Sequence, residues 1–121
     1  TESQWKAQVY RCVRRIPELK IPSRSRGVVD LYDVSDDWIP IYDKSVLGGF
    51  YMAIGTSGNQ FKNAPVAGHC MAELIDSCEK GHDHDSNPLK VKTVYTGLEL
   101  NMGFYSRNRK INPNSSFSVN G

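Results

Sequence analysis

The chain reads as an α+β protein. Two segments carry apolar side chains at helical spacing, near the N-terminus and again from Pro65 to Gly81. Between them lie short runs, alternating or continuously apolar and rich in β-branched and aromatic residues, that predict strands. The expected architecture is an amphipathic N-terminal helix, about three or four strands, and a second helix packed on a sheet.

In the first segment Trp5, Val9, Cys12, Val13 and Ile16 recur at intervals of three and four, opposite Lys6, Arg11, Arg14 and Arg15. That pattern makes an amphipathic helix, and Pro17 and Pro22 end it. From Val28 to Val34 apolar and polar residues alternate and predict a strand. Ser35-Asp36-Asp37 offers turn chemistry, and Trp38 to Tyr42 reads as a second short strand whose Pro40 confines it to an edge or a bulge. Leu47-Gly48-Gly49 turns the chain into Phe50–Ile54, a continuously apolar run expected to be a central strand covered on both faces.

The second helix starts near Pro65, whose fixed φ suits a first helical position, and ends near Gly81. Its expected buried stripe is Ala67, Cys70, Met71, Leu74, Ile75 and Cys78, with His69, Glu73, Asp76 and Glu79 on the polar face. Gly81 to Pro88 reads as a solvated loop with exposed histidines. In the last stretch Val91, Thr93 and Tyr95 alternate before a Gly-, Asn- and Ser-rich tail.

At 121 residues, with 39% hydrophobic and 23% charged residues, the composition is that of a globular domain rather than a disordered or membrane-embedded chain. The longest apolar run falls far short of the roughly 20 residues that cross a bilayer, and no signal-peptide core opens the sequence. Fifteen basic against thirteen acidic residues leave a net charge of +2, too small to call for nucleic acid or an anionic membrane. Cys12, Cys70 and Cys78 fit neither a disulfide framework nor a zinc knuckle; buried thiols in a reducing cytoplasm are the expectation. His82-Asp83-His84-Asp85 has metal-ligand chemistry but sits in a polar connector, so no metal is expected. Arg107, Arg109 and Lys110 beside Phe104 and Tyr105 look superficially like a base-stacking strand, a reading the balanced charge disfavours. Asn114-Ser-Ser matches the N-glycosylation pattern, which without a secretory signal carries no weight.

The most informative segment is Gly55-Thr-Ser-Gly-Asn-Gln-Phe-Lys-Asn-Ala-Pro65. A buried strand that ends in a glycine loop and feeds a helix start aims free backbone N–H groups at what lies above it, and such a place favours negative charge. Gly55 and Gly58 let a ligand approach the backbone, Ser57, Asn59 and Gln60 add hydrogen bonds, and Lys62 adds a full positive charge. The spacing is neither a Walker loop nor a Gly-x-Gly-x-x-Gly dinucleotide fingerprint. The same residues also suit a tight strand-to-helix turn in which the glycines serve geometry alone.

From Val28 to Ile75 the sequence resembles the C-terminal part of the FAD-dependent oxidoreductases of the sarcosine oxidase and D-amino-acid oxidase family. In that family a Leu-Tyr-Asp-x-Thr-Pro-Asp-x-x-Pro-Ile strand precedes a further strand, a Gly-x-Ser-Gly-x-Gly-Phe-Lys-x-Ala-Pro loop and a helix. Here the order is Leu31-Tyr-Asp-Val-Ser-Asp-Asp-Trp-Ile-Pro-Ile41, then Phe50–Ile54, then the Gly55–Pro65 loop. Gln60 stands where many relatives carry glycine, and Ser35-Asp36 replaces Thr-Pro.

The resemblance implies a fragment of a two-domain FAD-binding fold. Residues 1–42 would belong to the substrate side, 47–81 to the strand, loop and helix of the FAD-binding region, and 82–121 to a C-terminal extension, all in one compact unit. It implies FAD as cofactor, with Gly55, Thr56, Ser57, Gly58, Asn59, Gln60 and Phe61 lining the flavin and the helix start facing its pyrimidine edge. Lys62 would hold the carboxylate of a small amino-acid or amine substrate, and Tyr32 would line the substrate cavity. The pyrophosphate-binding fingerprint is missing from these residues, so the remainder of a parent polypeptide is the expected partner, with neither nucleic acid nor membrane. The other function class is a non-catalytic α+β fragment or interaction domain without a cofactor.

Overall fold

The structure, a computed structural model, describes residues 1–28, 30–58 and 60–117. They form two helices and two small antiparallel sheets, an α+β fold as the sequence predicts. The chain divides into two units, 1–31 and 32–121.

In the first unit helix α1 spans Glu2–Arg15. It starts at a capping box: the Thr1 hydroxyl accepts the Gln4 N–H at 3.4 Å while the Gln4 side chain takes the Thr1 amino group at 3.0 Å. Glu2 in the first turn and Arg14 and Arg15 in the last complement the helix dipole, and Glu2 pairs with Lys6 at 2.7 Å. Trp5, Val9 and Val13 form a half-buried stripe, while Cys12 and Ile16 are exposed. The expected strand from Val28 to Val34 does not form: no described residue of that stretch pairs in a sheet. Its backbone bonds lie elsewhere: the Leu31 N–H donates to the Asp30 carboxylate at 2.8 Å and the Asp33 carbonyl accepts the Ser57 N–H at 2.9 Å.

The second unit opens with a turn in which the Trp38 N–H reaches the Ser35 carbonyl at 3.1 Å. This turn displaces the expected Trp38–Tyr42 strand, so that β1 spans Ile41–Lys44 and Pro40 stands just ahead of it. Strand β2 spans Tyr51–Ile54 and pairs with β1 antiparallel, Ile41 opposite Ile54 and Lys44 opposite Tyr51. β2 is not the central strand that its apolar run suggests. Its sheet has two strands, and Ala53 and Ile54 are exposed.

A 3-10 turn, Phe61–Asn63, leads into helix α2, Ala64–Glu79. The helix ends as a Schellman motif: the His82 N–H bonds to the Ser77 carbonyl at 3.0 Å and the Gly81 N–H to Cys78 at 2.9 Å, with Gly81 at φ 92°. Cys70 and Leu74 are buried and Ala67 and Met71 partly so, as the periodicity predicts; Ile75 is exposed. Strands β3 (Lys90–Lys92) and β4 (Glu99–Asn101) pair with Val91 opposite Leu100, and a 3-10 turn over Met102–Tyr105 follows. Tyr42, Cys70, Val91 and Met102 make the apolar core that joins β1, α2 and the second sheet. The Tyr42 and Tyr105 rings sit 5.3 Å apart in it.

Two buried carboxylates tie the C-terminal segment to this core. Asp43 accepts the Ser106 hydroxyl at 2.9 Å, the Arg107 N–H at 2.8 Å and the Arg107 guanidinium at 3.1 Å. Asp37 accepts two Arg109 nitrogens, at 2.6 and 3.1 Å, and the Asn112 N–H at 3.2 Å. Arg109 first of all holds the Asp37 carboxyl down from its ordinary 3.8 to about 2.

Because that folded-state value is depressed, the stabilisation is present above the ordinary value and is lost as pH falls from 3.8 through about 2. Asp37→Asn leaves Arg109 without its counter-charge in a nearly buried site. Urea unfolding at neutral pH should show a loss of about 3 kcal/mol, and the variant should lack the wild-type weakening across that acid window.

Candidate functional site

The loop after β2 is built from three left-handed residues: Gly55 at φ 66°, Ser57 at 53° and Gly58 at 73°. Glycine is required twice over. A side chain on Gly55 would meet Ser35 Cβ at 3.1 Å, and one on Gly58 would meet the Tyr32 ring at 3.0 Å. Ser57 tolerates the same backbone region because its buried hydroxyl donates to the Gly55 carbonyl at 3.1 Å.

The loop wraps around Asp33. The Gly55 N–H donates to one carboxylate oxygen, the Thr56 hydroxyl to the other at 2.8 Å, and the Ser57 N–H to the Asp33 carbonyl at 2.9 Å. The Thr56 hydroxyl, then the Gly55 N–H, lowers the Asp33 pKa. The Gly55 amide and the Thr56 hydroxyl therefore serve the chain's own carboxylate. Asp33 stood inside the recognised Leu-Tyr-Asp motif without a role of its own; its spacing to the loop gives no sign of the contact.

Farther along, Gln60 accepts the Tyr42 hydroxyl and the Asn63 amide, each at 3.1 Å, through one side-chain oxygen. Phe61 is 98% exposed and Lys62 is exposed beside it; the 3-10 turn they form runs into α2, with the Ala64 N–H bonded to the Phe61 carbonyl and Pro65 carrying no N–H. Among the described residues Lys62 enters no ion pair. A cavity of about 250 Å³ lies between the start of α2 and the core, lined by Tyr42, Gln60, Asn63, Cys70 and Tyr105. Burial pushes the Cys70 thiol up, so it is a packing group rather than a nucleophile.

Of the residues singled out by sequence, the structure thus gathers Gly55, Thr56 and Ser57 around Asp33 and sets Tyr32 over Gly58. Gln60, Phe61 and Lys62 stand at the helix start, and Asn59 lies outside the described residues. As a flavin-facing surface, the exposed phenyl ring and the lysine suit an aromatic, electron-accepting ring edge. The Gly55 amide and the Thr56 hydroxyl do not, being engaged by Asp33.

Two other expectations change. His84 is 1% exposed rather than solvated: its Nδ1 accepts the Leu89 N–H at 3.0 Å, and its Nε2 lies 3.6 Å from Asp43. Arg107 and Arg109, grouped by sequence with a nucleic-acid face, direct their guanidinium groups at Asp43, Asp85 and Asp37. Among the described residues no three His, Cys, Asp or Glu side chains cluster to hold a metal, and no helix is long and apolar enough to cross a membrane.

Gly58→Ala should lower stability by about 1 to 2 kcal/mol, part from the left-handed backbone and part from the ring contact. Repeating the substitution in a Tyr32→Ala background should recover the second part alone, and denaturation of the four proteins separates the two terms.

No family model matches the chain, and neither a curated protein nor a solved structure does.

Proposed function

We propose that this chain is the C-terminal segment of an FAD-dependent oxidoreductase that oxidises the C–N bond of an amino acid or N-methylated amine. The observation that carries the proposal is the Gly55–Pro65 segment. Its sequence resembles the flavin-facing loop of the sarcosine oxidase and D-amino-acid oxidase family, and it leads from β2 through the exposed Phe61 and Lys62 into the start of α2. FAD, when bound by the parent protein, supplies the hydride acceptor.

The chain's own residues contribute binding and electrostatics. The α2 N-terminus and the Lys62 ammonium create a positive field at the loop mouth, suited to charge that gathers on the flavin edge and to a substrate carboxylate. Lys62, at the exposed end of a flexible four-carbon stem, binds that carboxylate as a point charge. Tyr32, packed against Gly58, forms a wall of the substrate cavity, and Phe61 offers its exposed ring to the flavin. Asp33 fixes the loop's curvature by holding Gly55 and Thr56, which leaves Phe61 and Lys62 as the outward-facing members.

A non-catalytic α+β interaction domain has one observation in its favour, the satisfaction of the loop's first donors by Asp33 without any ligand. The two differ in colour. The full-length protein that contains this chain should show flavin absorbance, and a colourless full-length protein overturns the oxidoreductase proposal.

In that protein Lys62→Met should raise KM for amino-acid substrates about tenfold or more, the loss of one charge-assisted contact, with flavin content unchanged. Unaltered turnover and KM would remove Lys62 from carboxylate binding.

A further inference from the structure

The segment from Gly81 to Pro88 contains a buried histidine that the flavin-facing loop does not use. His84 Nδ1 accepts the Leu89 N–H at 3.0 Å, so the neutral ring carries its proton on Nε2. That second nitrogen is buried without a hydrogen-bond partner and lies 3.6 Å from Asp43 Oδ1. The same segment grips its surroundings through charge: Asp85 pairs with Lys44 at 3.1 Å and with Arg107 at 2.8 Å, and Asp83 lies 3.6 Å from Lys44.

We propose that Gly81–Pro88 is an acid-released latch, closed on β1 and the Ser106–Arg109 strap while His84 is neutral and opened when His84 gains its second proton. The second proton has one place to go, Nδ1, and there it meets the Leu89 N–H head-on. Two buried donors then face each other, one hydrogen bond is lost, and an imidazolium is left out of water.

The groups around His84 decide whether its neighbours can compensate. β1 contributes Asp43 and Lys44, the latch itself His82, Asp83 and Asp85, the strap Arg107, and α2 Cys78, whose thiol feels Asp43 and Asp85. Asp43 and Asp85 favour the charged ring. Asp43 already accepts bonds from Ser106, Lys44 and both the backbone and the side chain of Arg107, and Asp85 is shared by Lys44 and Arg107. Lys44 and His82 oppose the charged ring, and burial outweighs the carboxylates, lowering the His84 pKa. A base whose folded value is depressed stabilises the closed form above its ordinary value of 6.5 and loses that contribution as pH falls through 6.5 towards the folded value. Opening separates Asp85 from Lys44 and Arg107, which leaves Asp43 as the strap's remaining anchor on this side.

The test is an NMR titration of the 121-residue chain from about pH 7.5 down to about pH 4.5. The His84 ring should titrate below 6.5, and the Leu89 amide should shift and lose exchange protection with the same midpoint. His84→Gln places an uncharged acceptor near Leu89 and should keep that amide protected throughout. A ring that titrates at or above 6.5, a Leu89 amide indifferent to it, or a glutamine variant that opens at the wild-type midpoint each overturns the latch. If the variant does not fold, the wild-type titration decides alone.

Discussion

Asp43 is the constraint around which the second unit is organised. A carboxylate with no exposed surface is tolerable only where its oxygens are fully occupied, and Asp43 sits on β1 beside the core residue Tyr42. Its partners come from far along the chain: Ser106 and Arg107 bond to it directly, and His84 approaches it from the loop after α2. The apolar core is too small to fix these segments by packing alone. Four buried apolar side chains join one strand, one helix and a second two-stranded sheet, and the polar contacts of Asp43 and Asp37 add the direction that packing lacks. Such pairs add less net stability than their attraction alone would, because the desolvation of two charges cancels much of it.

Asp33 follows the same logic at the other end of the unit. A loop of left-handed residues that presents donors inward needs an acceptor, and the carboxylate supplied by the segment before β1 curves it around itself. The glycines are consequences of that curvature as much as of any ligand, since Gly58 lies under the Tyr32 ring and Gly55 against Ser35. The distinction between a ligand loop and a geometric turn is therefore not absolute. One face of the segment is committed to internal bonds, while the side chains of Phe61 and Lys62 are exposed.

How much of this could be read in advance depended on the range of the forces involved. Helix α2 was legible from end to end, because its period, Pro65 and the Gly81 cap are local signals. The hairpin of β1 and β2 was legible as two strands but not as a sheet of two, since a continuous apolar run does not say how many neighbours cover it. Val28–Val34 alternates like a strand, yet Asp30 and Asp33 turn toward a local amide and toward the loop, and none of its described residues pairs in a sheet. Asp37 was readable as a turn former, which it is; its bond to Arg109 spans 72 residues and leaves no local trace. His84 looked solvated because its neighbours are polar, and those neighbours do face outward; the ring between them turns in toward Asp43 and Leu89.

The candidate site divides along the same line. Its linear part, a strand, a glycine loop and a helix start, is encoded in contiguous residues and was legible with its boundaries nearly right. Its polar contacts were not, because Asp33 engages the Gly55 amide and the Thr56 hydroxyl from 22 and 23 residues away, a contact that leaves no local trace. The exposed side chains of the segment therefore lie past the glycines, at Phe61 and Lys62, where the flanking Gln60 and Asn63 line a cavity shared with Tyr42. A phosphate at the glycines would have to displace Asp33 to reach the Gly55 amide, because that donor already serves a carboxylate.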